Sequence, residues 1–232
     1  MPFKYNNFEE LQLLVDEHSD IGVIKMEVIR NQGPRDNFLQ KVRQLATDRG
    51  IVLVFDECTS GFRESFGGVH KNYGVEPDMA IFGKALGNGY AITAVIGRRE
   101  IMEASQSSFI SSTFWTERIG PVAGLKTLEV MERERSWEQI TETGKQIGLR
   151  WQKLGKAHGL PIEVGGLHAF INFSIRSSNW LHYKTLITHA RTLNIPLFST
   201  PFDDESLDQL VELGVDASVL GRHPLGKTVD VG

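Results

Sequence analysis

Apolar residues in the first part of the chain alternate between helical and strand-like spacing. From Phe8 to His18 they recur at helical intervals, with Leu11, Leu14 and Val15 on one face. Ile21 to Ile29 has the character of a strand and runs into the turn residues Asn31-Gln32-Gly33-Pro34. Phe38, Val42 and Leu45 then mark an amphipathic helix that stops at Gly50. Ile51-Val52-Leu53-Val54-Phe55 is continuously apolar, which predicts a strand covered on both faces, as in a parallel sheet between helix layers. Met79 to Phe82 and Ala91 to Ile96 are two further short strands, and Arg118 to Arg135 and Trp137 to His158 read as helices. Strand and helix in alternation predict an α/β fold.

The rhythm shifts at Ser177-Ser178-Asn179. Beyond it come a helix from Trp180 to Leu193, a short strand from Ile195 to Phe198, a helix from Asp203 to Leu213 and a strand from Val215 to Leu220. Two segments are therefore expected, 1–177 and 178–232. Neither contains an internal repeat or a low-complexity stretch.

Composition narrows the classes. The chain has 232 residues, 25 Lys plus Arg against 29 Asp plus Glu, and a net charge of −4, so it carries no basic footprint for nucleic acid. No apolar run approaches the ~20 residues of a membrane span, and the first residues lack the basic start and apolar stretch of a signal peptide. One cysteine excludes an intrachain disulfide and fits a reducing, cytoplasmic setting. The seven histidines show no metal-ligand spacing, so no metal is expected.

Two positions carry candidate chemistry. The buried strand ends in Asp56-Glu57, and in parallel α/β sheets ligands sit just beyond the carboxyl ends of strands. A helix cap or a surface turn is the other reading of Asp56. Lys84 follows a short apolar strand in the glycine-rich run Gly83-Lys84-Ala85-Leu86-Gly87-Asn88-Gly89. An apolar setting disfavours ammonium and so favours a nucleophilic amine, whereas a solvated surface lysine is the bland alternative. Ala85 stands where a Walker phosphate loop needs Ser or Thr. A carboxylate and a lysine at neighbouring strand ends suit pyridoxal 5′-phosphate: the lysine forms the Schiff base, and the carboxylate keeps the ring nitrogen protonated.

Asp56-Glu57-Cys58-Thr59-Ser60-Gly61-Phe62-Arg63 resembles the Asp-Glu-Val-x-Thr-Gly-Phe-Arg signature of class III aminotransferases. Tyr73-Gly74-Val75-Glu76-Pro77-Asp78 and Gly83 to Tyr90 resemble the family's next two motifs, in the same order, and the subgroup most similar is that of glutamate-1-semialdehyde aminomutase. The resemblance runs from about Ile21 to Ile175. It implies part of the large domain of the aspartate aminotransferase-like fold and PLP-dependent transfer or relocation of an amino group, by way of a Lys84 aldimine, between a small-molecule donor and a carbonyl acceptor. It also implies a homodimer with sites at its interface. By the same resemblance Lys84 is the Schiff-base lysine and Asp56 faces the ring nitrogen. Cys58 stands where the family has valine against the ring, and Thr113 in Ser111-Ser112-Thr113-Phe114-Trp115 reaches the cofactor phosphate of the partner subunit. A buried structural thiol and a helix cap are the alternative readings of Cys58 and Thr113. Arg63 is a candidate for a substrate carboxylate or a surface ion pair, and Glu57 and Glu27 are read as structural.

A complete family member carries a long N-terminal part with a phosphate-cradling loop, and few residues precede Asp56 here. The tail departs from the family: Ala190 to Asp203, with Ser199-Thr200-Pro201-Phe202-Asp203, and Asp204 to Val215 resemble a fragment of the N-acetylneuraminate synthase family, a TIM barrel of which about two β/α units are present. The expectation is a fused or truncated reading frame, tied to surface-sugar biosynthesis. Two other readings stand beside the transferase: a non-catalytic remnant that keeps only part of the PLP site, and an aldolase-like Schiff-base enzyme built on the tail.

Overall fold

The computed structural model describes residues 1–29, 31–110, 116–175, 188–194, 198–199 and 217–218. The chain divides into two units, Met1–Ser174 and Ile175–Gly232.

In the first unit, helix α1 (Phe8–Glu17) is opened by a reciprocal cap. The Asn7 side-chain oxygen accepts from the Glu10 N–H at 3.2 Å, and the Asn7 amide donates to the Glu10 carboxylate at 3.1 Å, which also accepts from the Lys4 N–H at 3.0 Å. Strand β1 (Val23–Glu27), helix α2 (Phe38–Asp48) and strand β2 (Val52–Asp56) follow, each within the segment its apolar spacing predicts. Strands β3 (Met79–Phe82) and β4 (Ala94–Gly97) complete a four-stranded sheet of order β1-β2-β3-β4. The pairs β1–β2 and β2–β3 are parallel and β3–β4 is antiparallel. The sheet is thus mixed where the β2 pattern predicts a parallel one. The reason is the short connection from Gly83 to Thr93, which holds no crossover helix and returns the chain beside β3 in the opposite direction.

One face of β1 and β2 makes the core. Ile24, Met26, Leu53 and Phe55 pack with Leu11 and Val15 of α1 and with Phe38, Leu39, Val42 and Leu45 of α2. The i, i+4, i+7 spacing of Phe38, Val42 and Leu45 is what turns one side of α2 toward the sheet. A smaller cluster of Ala80, Phe82 and Leu86, backed by Phe62 and Ile92, forms where β3 runs into the lysine loop.

Helices α3 (Arg99–Met102), α4 (Ile119–Glu134) and α5 (Ser136–Ala157) follow. The last two are separated at Arg135, whose φ is 50°. Strands β5 (Ile162–Gly165) and β6 (Asn172–Ile175) form a second small sheet that the spacing does not announce. Runs of four residues are too short to display a period. Trp151 of α5 meets Phe173 of β6 edge-on at 5.0 Å between ring centres.

In the second unit, β7 (Phe198–Ser199) and β8 (Ala217–Ser218) pair in parallel. Residues 188–192 are helical and 193–194 form a turn, and of the segment that resembles N-acetylneuraminate synthase residues 195–197 and 200–215 lie outside the described residues. No helix among the described residues is long and apolar enough to cross a membrane.

Asp78, from the Pro77-Asp78 pair, ties three elements together. Its Oδ2 accepts from the Leu53 N–H at 2.8 Å and from Arg43 of α2 at 2.9 Å, and its Oδ1 accepts from Arg98 at 3.0 Å. Burial alone raises this carboxyl. The Leu53 N–H and the Arg43 guanidinium overrule burial and hold it below the ordinary aspartate value. Its stabilisation is therefore complete above the unfolded-state value of about 3.9 and is lost as pH falls through the lower folded-state value. Asp78→Ala is expected to cost about 3 kcal/mol, read as a lower urea midpoint at unchanged slope. A midpoint that does not move would show that this node carries no stability.

Candidate active site

The parallel register of β2 on β3 sets Asp56 opposite Ile81, and the Glu57 N–H donates to the Ile81 carbonyl at 2.8 Å. Both strands then end at the same edge, and Lys84 begins the loop beyond β3. Gly83 makes the approach close. A Cβ on Gly83 would lie 3.4 Å from the Cys58 sulfur and 3.3 Å from the Thr93 methyl. The backbone of Lys84 has φ 44°, a left-handed conformation that costs a side-chain-bearing residue about 1–3 kcal/mol and that recurs at functional sites.

Lys84 Nζ donates to Thr59 Oγ1 at 2.7 Å. Thr59 is buried, and its carbonyl accepts from Arg63 Nε at 2.6 Å. Asp56 divides its two oxygens. Oδ1 accepts from the Cys58 N–H at 3.2 Å, and Oδ2 meets Lys25 Nζ at 3.0 Å. Burial pushes the Asp56 carboxyl up, but the Lys25 ammonium and the Cys58 N–H outweigh it, and the net effect holds it below the ordinary aspartate value. The Cys58 thiol is raised, first by burial and then by the Asp56 charge, while Lys84 and Lys25 pull the other way. Asp56, Cys58, Lys84 and Lys25 therefore share one electrostatic neighbourhood.

Glu57 points into the protein and is fully buried. It accepts from the His70 N–H at 3.0 Å, lies 2.8 Å from His70 Nδ1 and accepts from the Ser60 hydroxyl. These bonds fix the loop that follows β2, as the structural reading of Glu57 expects. Gly61 is required there, because an added Cβ would fall 2.6 Å from the Phe82 ring and 2.7 Å from the Glu57 carbonyl oxygen. Arg63 is half-buried over the Phe170 ring at 5.0 Å. It has no carboxylate partner among the described residues, so the ion-pair reading is not met there. With Lys84, Gly89 and Tyr90 it lines an open cleft of about 770 Å³ beside α4. Tyr90 is fixed there by donating its hydroxyl to Glu117.

The structure places Cys58 beside Asp56 and within the field of Lys84, and sets Asp56 and Lys84 at the ends of two paired strands. Thr113 lies outside the described residues. Lys25 and Thr59 join the site without having been singled out. Lys25 has a local signal, as the one charged residue amid Val23, Ile24 and Met26, but its partner depends on the β1–β2 register.

The family model for class III aminotransferases matches residues 7–201. Over 198 residues the chain is 37% identical to the 3-aminobutyryl-CoA aminotransferase of Cloacimonas acidaminovorans, covering 82% of this chain and 48% of that protein. Over 221 residues it is 30% identical to the glutamate-1-semialdehyde 2,1-aminomutase of Hyperthermus butylicus, covering 88% of this chain and 52% of that protein. The chain spans about half the length of the curated relatives it matches. The fold is similar to that of the FumI protein of Sphingopyxis sp. MTA144, solved in its PLP internal aldimine form. The TM-score is 0.73 at 23% identity, covering 79% of this chain and 46% of that one, a likeness of fold alone. With the family model matched across most of its length, the chain belongs to the class III aminotransferase family.

Proposed function

We propose that the chain takes part in pyridoxal 5′-phosphate-dependent amino-group transfer or relocation, with Lys84, Asp56 and Cys58 as the cofactor-facing residues. The observation that carries the reading is the convergence of an amine-bearing loop and an ionised strand-end carboxylate at one sheet edge. The donor set fits the pyridine half of the cofactor: a lysine amine held by Thr59 and a carboxylate kept charged by its neighbours. Bound there, the cofactor supplies an aldehyde that condenses with amines and a cationic ring that stabilises charge on carbon.

The chain's own residues have separate tasks. Asp56 stays anionic across the neutral range and favours a proton on whatever nitrogen faces it. Lys84 Nζ, on a strained backbone and held by the Thr59 hydroxyl, delivers and removes a proton beside the cleft. Cys58 presents a small, weakly polar thiol to a ring, a role valine fills elsewhere in the family. Thr113 is assigned to the phosphate of a neighbouring subunit. The substrates are an amino donor and a carbonyl acceptor of small size. Relatives that differ in what they act on, a 3-aminobutyryl-CoA aminotransferase and a glutamate-1-semialdehyde aminomutase, support the class of reaction. A cytoplasmic setting is proposed from the cysteine usage, one residue in 232, which leaves no intrachain disulfide to be formed.

The assembly proposed is a homodimer. Its support is the outer side of α4, where Ile119, Val122 and Leu125 are 59–68% exposed on one arc, after a segment in which Phe109 is 96% exposed. A second reading is favoured by the half-length match: the chain keeps part of the site and turns over nothing on its own.

Adding pyridoxal 5′-phosphate is expected to produce a visible absorption band that an amino acid bleaches. Lys84→Ala should abolish the band. Asp56→Asn should leave binding but slow bleaching roughly 100-fold or more. A band unchanged in Lys84→Ala would refute the assignment, and a stable band that no amine bleaches would favour the second reading. Because Cys58 is the sole cysteine, its alkylation by iodoacetamide should slow when the cofactor is present. Sedimentation should show a dimer that Val122→Glu with Leu125→Glu converts to monomer. A monomeric wild-type chain would contradict the assembly.

A further inference from the structure

Lys25 has no part in the reaction proposed above, yet it pairs with Asp56, the carboxylate assigned there to the cofactor. The β1–β2 register pairs Lys25 with Val54 and Glu27 with Asp56, so Lys25 and Asp56 rise from the same face of adjacent strands. The Cys58 N–H lies on Oδ1 at 3.2 Å and Lys25 Nζ on Oδ2 at 3.0 Å, so the contact at Oδ2 is the one made by a side chain that can move away. The two partners differ in solvation: the Lys25 side chain is 56% exposed and that of Asp56 23%. An exposed lysine gives up such a pair at small cost, because water re-solvates its ammonium.

We propose that Lys25 is a displaceable counter-ion of Asp56, so that the cofactor binds by exchanging cations on one carboxylate: the protonated ring nitrogen takes Oδ2 as the Lys25 ammonium moves to solvent. This inference rests on the reading of Asp56 given under Proposed function. No bond to carbon is made or broken in the exchange. One N–H donor replaces another, and Asp56 remains a carboxylate throughout. Lys25 keeps Asp56 charged and oriented before the cofactor arrives, and it weakens the cofactor's hold by competing for the same oxygen. It is a positioning residue.

Three readouts test the proposal. In the cofactor-free chain, the pH profile of Cys58 alkylation reports the local field set by Asp56, Lys84 and Lys25. Lys25→Met removes one cation and unmasks the Asp56 charge, so the midpoint should move to higher pH. Lys25→Arg should keep the wild-type profile. A Lys25→Met profile that coincides with wild type shows that the pair is not made in solution and overturns the proposal, whether or not cofactor binds. In direct titrations followed by visible absorbance, Lys25→Met should bind pyridoxal 5′-phosphate about two- to fivefold more tightly than wild type, the scale of an ion pair with an exposed partner. The deaza analogue, which lacks the ring nitrogen, should bind wild type and Lys25→Met equally. Weaker binding of both ligands by Lys25→Met would mean that Lys25 attracts the phosphate instead, and would overturn the exchange. If Lys25→Met moves the thiol profile but no chain binds either ligand, the counter-ion pair stands and the cofactor reading falls.

Discussion

The site depends on one backbone constraint, the parallel pairing of β2 with β3 in the register that sets Asp56 against Ile81. A parallel pair ends both strands at the same edge, so a residue at the end of one and a residue just past the end of the other become neighbours without any long-range recognition between their side chains. A shift of one residue would turn Asp56 to the opposite face, into the core that Leu53 and Phe55 occupy. The register is secured at both ends. At the entry, Asp78 accepts the Leu53 N–H, and at the exit, the Glu57 N–H bonds to Ile81.

On that frame, alternation along β2 sorts the residues by task. Leu53, Phe55 and Glu57 point inward and build the core and the loop anchor, while Asp56 lies on the opposite face beside Lys25 and Cys58 follows it on the same side. Burying Glu57 completely is tolerable because both of its oxygens are satisfied, by His70 and by Ser60. The loop it holds delivers Thr59 to the Lys84 amine. The strained φ of Lys84 and the close approach at Gly83 concentrate backbone cost at the same spot. Phe62, Phe82 and Leu86 pack together where β3 runs into that loop.

Much of this was legible in the residues. Helices α1, α2, α4 and α5 and the main strands follow from apolar spacing, and Asp56 and Lys84 follow from position and motif together. What the sequence did not disclose was relational. The antiparallel β4 depends on the short return from Gly83 to Thr93 without a crossover helix, which the apolar spacing of the two strands does not reveal. Lys25 reads as an exposed strand residue until the β1–β2 register gives it a partner. Thr59 occupies a variable position of its motif, and only the fold of the loop brings it to Lys84. Asp78 sits in a recognisable motif, but its three-way bonding joins α2, β2 and the end of β4, elements well separated along the chain.

The central claim is that the amine at the end of β3, and not the exposed amine on β1, captures the aldehyde. The most direct measurement is borohydride reduction of the full chain mixed with one equivalent of pyridoxal 5′-phosphate, followed by proteolysis and mass mapping of the pyridoxyl group. The account predicts the label on Lys84. A label on Lys25, or one spread over surface lysines with Lys84 unmodified, would contradict it.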